Sequence, residues 1–133
     1  MTRVRTVLTS TFLVLALSVV PLSAQYVEMY KLDNRVKDLP EQDVLNTLST
    51  HLGVPVETLK QQKAEYKSGV GELYMANQLA RVTRSDVKTV MGEFKSGKSW
   101  GVLAKEKKID MDQFSKDARQ LEEAFKKTER ASR

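Results

Sequence analysis

Tyr66-Lys67-Ser68-Gly69 returns 28 positions later as Phe94-Lys95-Ser96-Gly97, and each copy leads into a short apolar run holding an alanine, Ala76 and then Ala104. A second phrase follows both runs. Val82-Thr83-Arg84-Ser85-Asp86-Val87 matches Ile109-Asp110-Met111-Asp112-Gln113-Phe114, and an upstream version stands at Val54-Pro55-Val56-Glu57-Thr58-Leu59. Self-similarity at about 28 residues is the mark of paired helices repeated along a chain. The expected fold is therefore all-α: five or six short helices in helix-turn-helix-like repeats of about 28 residues.

Working outward, the apolar spacing places the helices. Val44, Leu45, Leu48 and Leu52 share one face after Pro40, and Gly53 is placed to end that helix. A second helix is expected from Pro55 to Lys67, with Val56, Leu59 and Tyr66 inward. Ser68-Gly69-Val70-Gly71 breaks it, since glycine costs about 1 kcal/mol inside a helix. The next run, Glu72 to Arg81, offers Leu73, Ala76 and Ala80 as a stripe flanked by Tyr74 and Met75.

From Ser85 to Lys95 the spacing of Val87, Val90, Met91 and Phe94 predicts a helix whose start is capped by Thr83, with Asp86 reaching back and Val82 packed on Val87. The last copy repeats the device with Asp110 as cap, Gln113 returning and Ile109 against Phe114. Between them lies a short helix with Trp100, Leu103 and Ala104. The final helix, Met111 to Glu129, carries Phe114, Ala118, Leu121 and Phe125 inward. Outside that stripe it pairs Asp112 with Lys116, Glu122 with Lys126 and Glu123 with Lys127 at i, i+4.

At the other end, Arg3 and Arg5 precede an apolar run from Val7 to Val20, then Pro21 and the small residues Ser23 and Ala24. That order reads as a signal peptide over residues 1–24. The alternative is an N-terminal membrane anchor, but the run is shorter than the roughly 20 residues a spanning helix needs. Residues 25–38 read as a weakly ordered lead-in, 39–130 as the helical repeat domain, and 131–133 as a frayed end. An exported protein, periplasmic or secreted, is expected.

The chain has 22 basic and 17 acidic residues, one histidine and no cysteine. Losing Arg3 and Arg5 with the leader takes the net charge from +5 to +3, a balance that selects no partner. With no cysteine and only His51, soft-metal sites and cysteine or Ser-His nucleophilic machinery have almost nothing to build with. Paired carboxylates remain, yet Glu122-Glu123 and Asp110 with Asp112 read as solvated or capping groups. The expectation is a protein that is not an enzyme and takes no cofactor.

Gly92-Glu93-Phe94-Lys95-Ser96-Gly97-Lys98-Ser99 fits the phosphate-loop pattern G-x-x-x-x-G-K-S. That loop needs a buried strand before it. Here Gly92 falls within helical periodicity and Phe94 is required on the apolar face, so no nucleotide is expected. The corner Leu48 to Leu59 resembles the turn of a DNA-reading helix-turn-helix. Only Lys60, Gln61, Gln62 and Lys63 offer a reading face, and the leader directs the chain away from the genome, so DNA is disfavoured.

The candidate interaction surface is Lys95, Lys98, Trp100, Lys105, Lys107 and Lys108, a lysine-rich stretch with one acid, Glu106. At helical spacing with Leu103 and Ala104, Trp100 reads as a core anchor before a ligand platform. The lysines suit an anionic membrane surface or polymer.

Ser96-Gly97-Lys98-Ser99-Trp100-Gly101-Val102-Leu103-Ala104-Lys105, after an aromatic-lysine pair, resembles a motif of small, uncharacterised exported bacterial helical proteins. The likeness spans Leu48 to Phe114, and the earlier copy departs from it, with Glu72 where the tryptophan would stand. The resemblance implies an exported helical protein and supplies no activity or site. The expected role is an interaction or structural module of the cell envelope, with an envelope protein or an anionic surface as partner.

Overall fold

The computed structural model describes residues 31–133, so the expected leader over 1–24 and the start of the lead-in lie outside the described residues. Seven helical segments and no strand occur among the described residues. Helix α1 covers residues 31–36. It is followed by α2 (Glu41–Leu52), α3 (Val56–Tyr66), α4 (Val70–Thr83), α5 (Val87–Lys95), α6 (Trp100–Glu106) and α7 (Met111–Ala131).

Helix α4 is the centre of the packing. Helices α2, α3 and α5 lie against it, while α7 returns to pack on α2 and α6 sits on α5. Every residue from Leu73 to Ala80 is buried, so α4 has no solvent face in its middle. The expected stripe of Leu73, Ala76 and Ala80 is only part of this. Its neighbours contribute Leu45, Leu48, Leu59, Val90, Met91, Leu121 and Phe125, each almost fully buried. Burial of such side chains stabilises by about 1.5–3 kcal/mol apiece, which is what holds helices too short to persist alone.

Part of the lead-in is not weakly ordered. Residues 31–36 are helical, and Leu32 and Val36, one helical turn apart, are buried in the common core. Asp33 between them accepts the Gly71 amide at 2.9 Å through Oδ1. Gly71 therefore lies inside the first turn of α4, which starts at Val70 rather than at Glu72, because a carboxylate from another helix satisfies its free amide. Gly69 leaves room for the same carboxylate: a Cβ there would sit 3.0 Å from Asp33 Oδ1. Asp33→Ala is expected to lower stability by about 1 kcal/mol, as loss of a helix cap does, and Gly69→Ala to do the same by pushing the carboxylate away. Unchanged urea midpoints for both would refute this capping role.

The corners explain the repeat. Each of the five links from α2 to α7 has a residue with positive φ two positions ahead of the next helix cap: Gly53 before Pro55, Lys67 before Gly69, Arg84 before Asp86, Gly97 before Ser99, Lys108 before Asp110. Four of them close with the long-range turn bond of a Schellman corner. Its donors are Ser68, Ser85, Lys98 and Ile109, bonding the carbonyls of Lys63, Ala80, Glu93 and Ala104.

This register corrects one expected cap. Thr83 is the last residue of α4 and its hydroxyl bonds the Leu79 carbonyl at 2.6 Å. Because Arg84 turns left-handed and Ser85 completes the turn, the chain re-enters helix only at Asp86, which accepts the Thr89 amide at 2.6 Å. That bond holds the Asp86 carboxyl below the ordinary aspartate range. Val82, the expected staple, is 48% exposed. Asp110 caps α7 as expected, accepting the Asp112 and Gln113 amides. The structural counterpart of Asp110 is thus Asp86.

Lys67, Arg84 and Lys108 adopt φ values of 49°, 53° and 54°, a conformation that costs a side-chain-bearing residue about 1–2 kcal/mol. Arg84→Gly and Lys108→Gly are each expected to raise stability by about 1 kcal/mol, since glycine removes that strain and returns part of the gain as chain entropy. Denaturant titration reads this directly, and a fall in stability would show that the side chain outweighs the strain.

Candidate functional site

The lysine and tryptophan stretch does not form one open surface. Trp100 is 2% exposed and stacks on Phe94, ring centroids 4.2 Å apart and planes inclined by 14°. It is core, as its spacing suggested, and leaves the candidate interaction surface. Its indole N–H is buried without a hydrogen-bond partner.

Three of the lysines face acids. Lys95 lies 3.9 Å from Glu72, Lys98 2.9 Å from Glu106, and Lys107 3.1 Å from Glu93. The hydrogen bond to Glu106 holds the Lys98 ammonium above the ordinary lysine range. Lys107 meets Glu93 without hydrogen-bond geometry, so that pair is coulombic alone. Lys105 and Lys108 are exposed and make no ion pair among the described residues.

The phosphate-loop pattern is likewise taken apart by the fold. Gly92 is inside α5, and Lys98 of the pattern is tied to Glu106. On the helix-turn-helix-like corner, Lys60 pairs with Glu57 at 3.0 Å and Lys63 with Glu41 at 3.4 Å. Gln62 accepts from buried Asn77 at 2.7 Å. Lys63 and Gln62 thus reach neighbouring helices, while Lys60 and Gln61 stay exposed on α3.

The constellation that sequence reasoning missed joins α2, α4 and α7. Asp117 Oδ2 accepts from the Tyr74 hydroxyl at 2.6 Å and lies 3.0 Å from His51 Nε2, while Arg81 stands 3.6 Å from Oδ1. The side chains of His51 and Asp117 are 13% and 15% exposed. Tyr74 is buried, its ring 6.2 Å from His51 and 5.8 Å from Phe114.

A signal for it exists. Asp117 is three residues after Phe114 and four before Leu121, on the edge of the apolar stripe, and His51 follows Leu48 by the same three. An acid and an imidazole at core-facing positions of two helices ask for each other.

Chemically, the group binds helices together. An ionised Asp117 can only accept, so His51 donates to it from Nε2. An aspartate beside a histidine is also two-thirds of a hydrolytic triad, but here the carboxylate is shared with Tyr74 and Arg81. Among the described residues no three metal-binding side chains come together, and no helix is long and apolar enough to cross a membrane.

Beyond this cluster, α2 and α7 are joined by Thr47 to Thr128 at 2.8 Å and by Ser132 to Asp43 at 3.2 Å, and α1 by Arg35 to Glu129 at 3.2 Å. Comparison with protein families, curated proteins and solved structures finds no match for the chain.

Proposed function

We propose that this is an exported, non-catalytic helical protein of the cell envelope that acts as an interaction or structural module. The observation that carries the reading is the engagement of Asp117 with His51, Tyr74 and Arg81, which commits the chain's sole histidine and its best-placed acid to joining helices. The leader over residues 1–24 and the likeness to small exported bacterial helical proteins support the export part.

Two measurements test it. Affinity capture from envelope extracts with the processed protein should recover a partner that saturates and is competed by untagged protein. Recovery of nothing, or turnover in a broad hydrolase screen, counts against the reading. N-terminal sequencing of the expressed protein checks export, and a cytosolic chain with residues 1–24 intact overturns it.

A further inference from the structure

We infer that the outer face of α7 is a docking rail for a linear polyanion, a proposal that rests on the interaction-module reading and names its partner's chemistry. The helix runs from Met111 to Ala131, about 30 Å at 1.5 Å rise per residue. Its buried stripe is Phe114, Ala118, Leu121 and Phe125. Opposite that stripe, Lys116, Arg119, Lys127 and Arg130 are exposed. At about 100° per residue these four fall within a sector of about 80° and span about 20 Å of helix.

The helix carries acids as well as cations, and two of the acids share its outer face. Its acids on the flanks are engaged: Asp117 in the His51 cluster, Glu122 with Lys126 at 3.6 Å, and Glu129 with Arg35 and Arg133. Glu123 lies within the cationic sector, but Lys126 bonds it at 2.6 Å and holds its carboxyl below the ordinary glutamate range. Asp112 also lies within that sector and is exposed, in the first helical turn where the helix dipole favours it, so the face holds four cations against two acids. None of the four outer cations has a carboxylate within ion-pair distance among the described residues; the expected partners of Lys116 and Lys127, Asp112 and Glu123, do not reach them.

With four cations against two acids, one of them bonded to Lys126, the face keeps a net positive charge, and charge complementarity selects an anionic chain able to follow the helix. A bilayer fits less well, because a helix lying on a membrane inserts an apolar face and that face of α7 is in the core. The exposed large hydrophobics, Val82 and Val102, belong to α4 and α6.

The test uses the full-length protein and, as probe, linear inorganic polyphosphate long enough to span the helix. Four phosphate contacts predict a log–log salt slope near about −3, from roughly 0.7 per contact on a single-stranded polyanion. The variant Lys116→Gln/Arg119→Gln/Lys127→Gln/Arg130→Gln should bind at least tenfold more weakly with an almost flat slope. Lys95→Gln/Lys98→Gln/Lys107→Gln should bind as the parent does. Should the fourfold variant fail to fold by circular dichroism, the two doubles, Lys116→Gln/Arg119→Gln and Lys127→Gln/Arg130→Gln, should each lose about half the slope.

Equal binding by parent and α7 variants overturns the inference, as does loss of binding in the Lys95 set alone. Binding to phosphatidylglycerol vesicles without binding to polyphosphate also overturns it and assigns the face to a membrane. A specific envelope protein captured by a chain that ignores polyphosphate sinks the rail while leaving the module reading standing.

Discussion

Trp100→Ala should cost about 3–5 kcal/mol, the range for deleting a large aromatic from a packed core. The whole stability of a domain this size is about 5–15 kcal/mol, so the variant should melt far below the parent or fail to accumulate. The reasoning is local. Trp100 is 2% exposed, lies flat on Phe94 at 4.2 Å, and occupies the first turn of α6, a seven-residue helix with little else to anchor it besides Leu103 and Ala104.

Trp100→Phe separates packing from polarity. It keeps a ring against Phe94 and removes the buried N–H that has no partner, so the cavity cost is partly offset by relief of a desolvated donor. Its loss should be less than half that of the alanine variant. A denaturation curve unmoved by Trp100→Ala would mean that the indole is not a core anchor.

Asp117→Ala should cost about 3 kcal/mol. Removal of the carboxylate takes an acceptor at once from Tyr74 and His51 and a counter-charge from Arg81, in a place where water replaces them poorly. Asp117→Asn should cost less, since its amide oxygen can still accept from the tyrosine. Arg81→Ala should cost no more than about 1 kcal/mol, because that side chain is 48% exposed and 3.6 Å away. In a double-mutant cycle, Tyr74→Phe with Asp117→Ala should show strong coupling. Additive effects would mean that the 2.6 Å bond carries little of the cluster's weight.

How far the sequence reaches can be traced through particular residues. Helix starts and stops were readable where a single residue decides them: Pro40, Gly53, Pro55 and Asp110 all act as their chemistry predicts. The α4 to α5 corner was misread by three positions because Thr83 and Asp86 both make good caps. Only the turn at Arg84, a residue with no intrinsic liking for positive φ, selects between them. The start of α4 was hidden because Gly71 looks like a breaker until Asp33 is seen to hold its amide.

The cluster around Asp117 is legible only in part, for a related reason. Its partners lie 66 and 43 positions away in the chain, and helical spacing shows which side a residue faces without saying what it meets there. Likewise the lysine excess in Lys95 to Lys108 is visible in the sequence, while Glu72 and Glu93, which answer Lys95 and Lys107, come from other helices.

The return of α7 to α2 bears on how the chain assembles. Successive helices from α2 to α6 largely meet through their neighbours, which are contacts of short range that form quickly. The Thr47 to Thr128 bond instead joins residues 81 positions apart, and closing so large a loop costs more chain entropy than a contact between neighbouring helices. Docking of the final helix is thus expected to come late in folding, and a nascent chain can reach its native topology only after α7 has been synthesised.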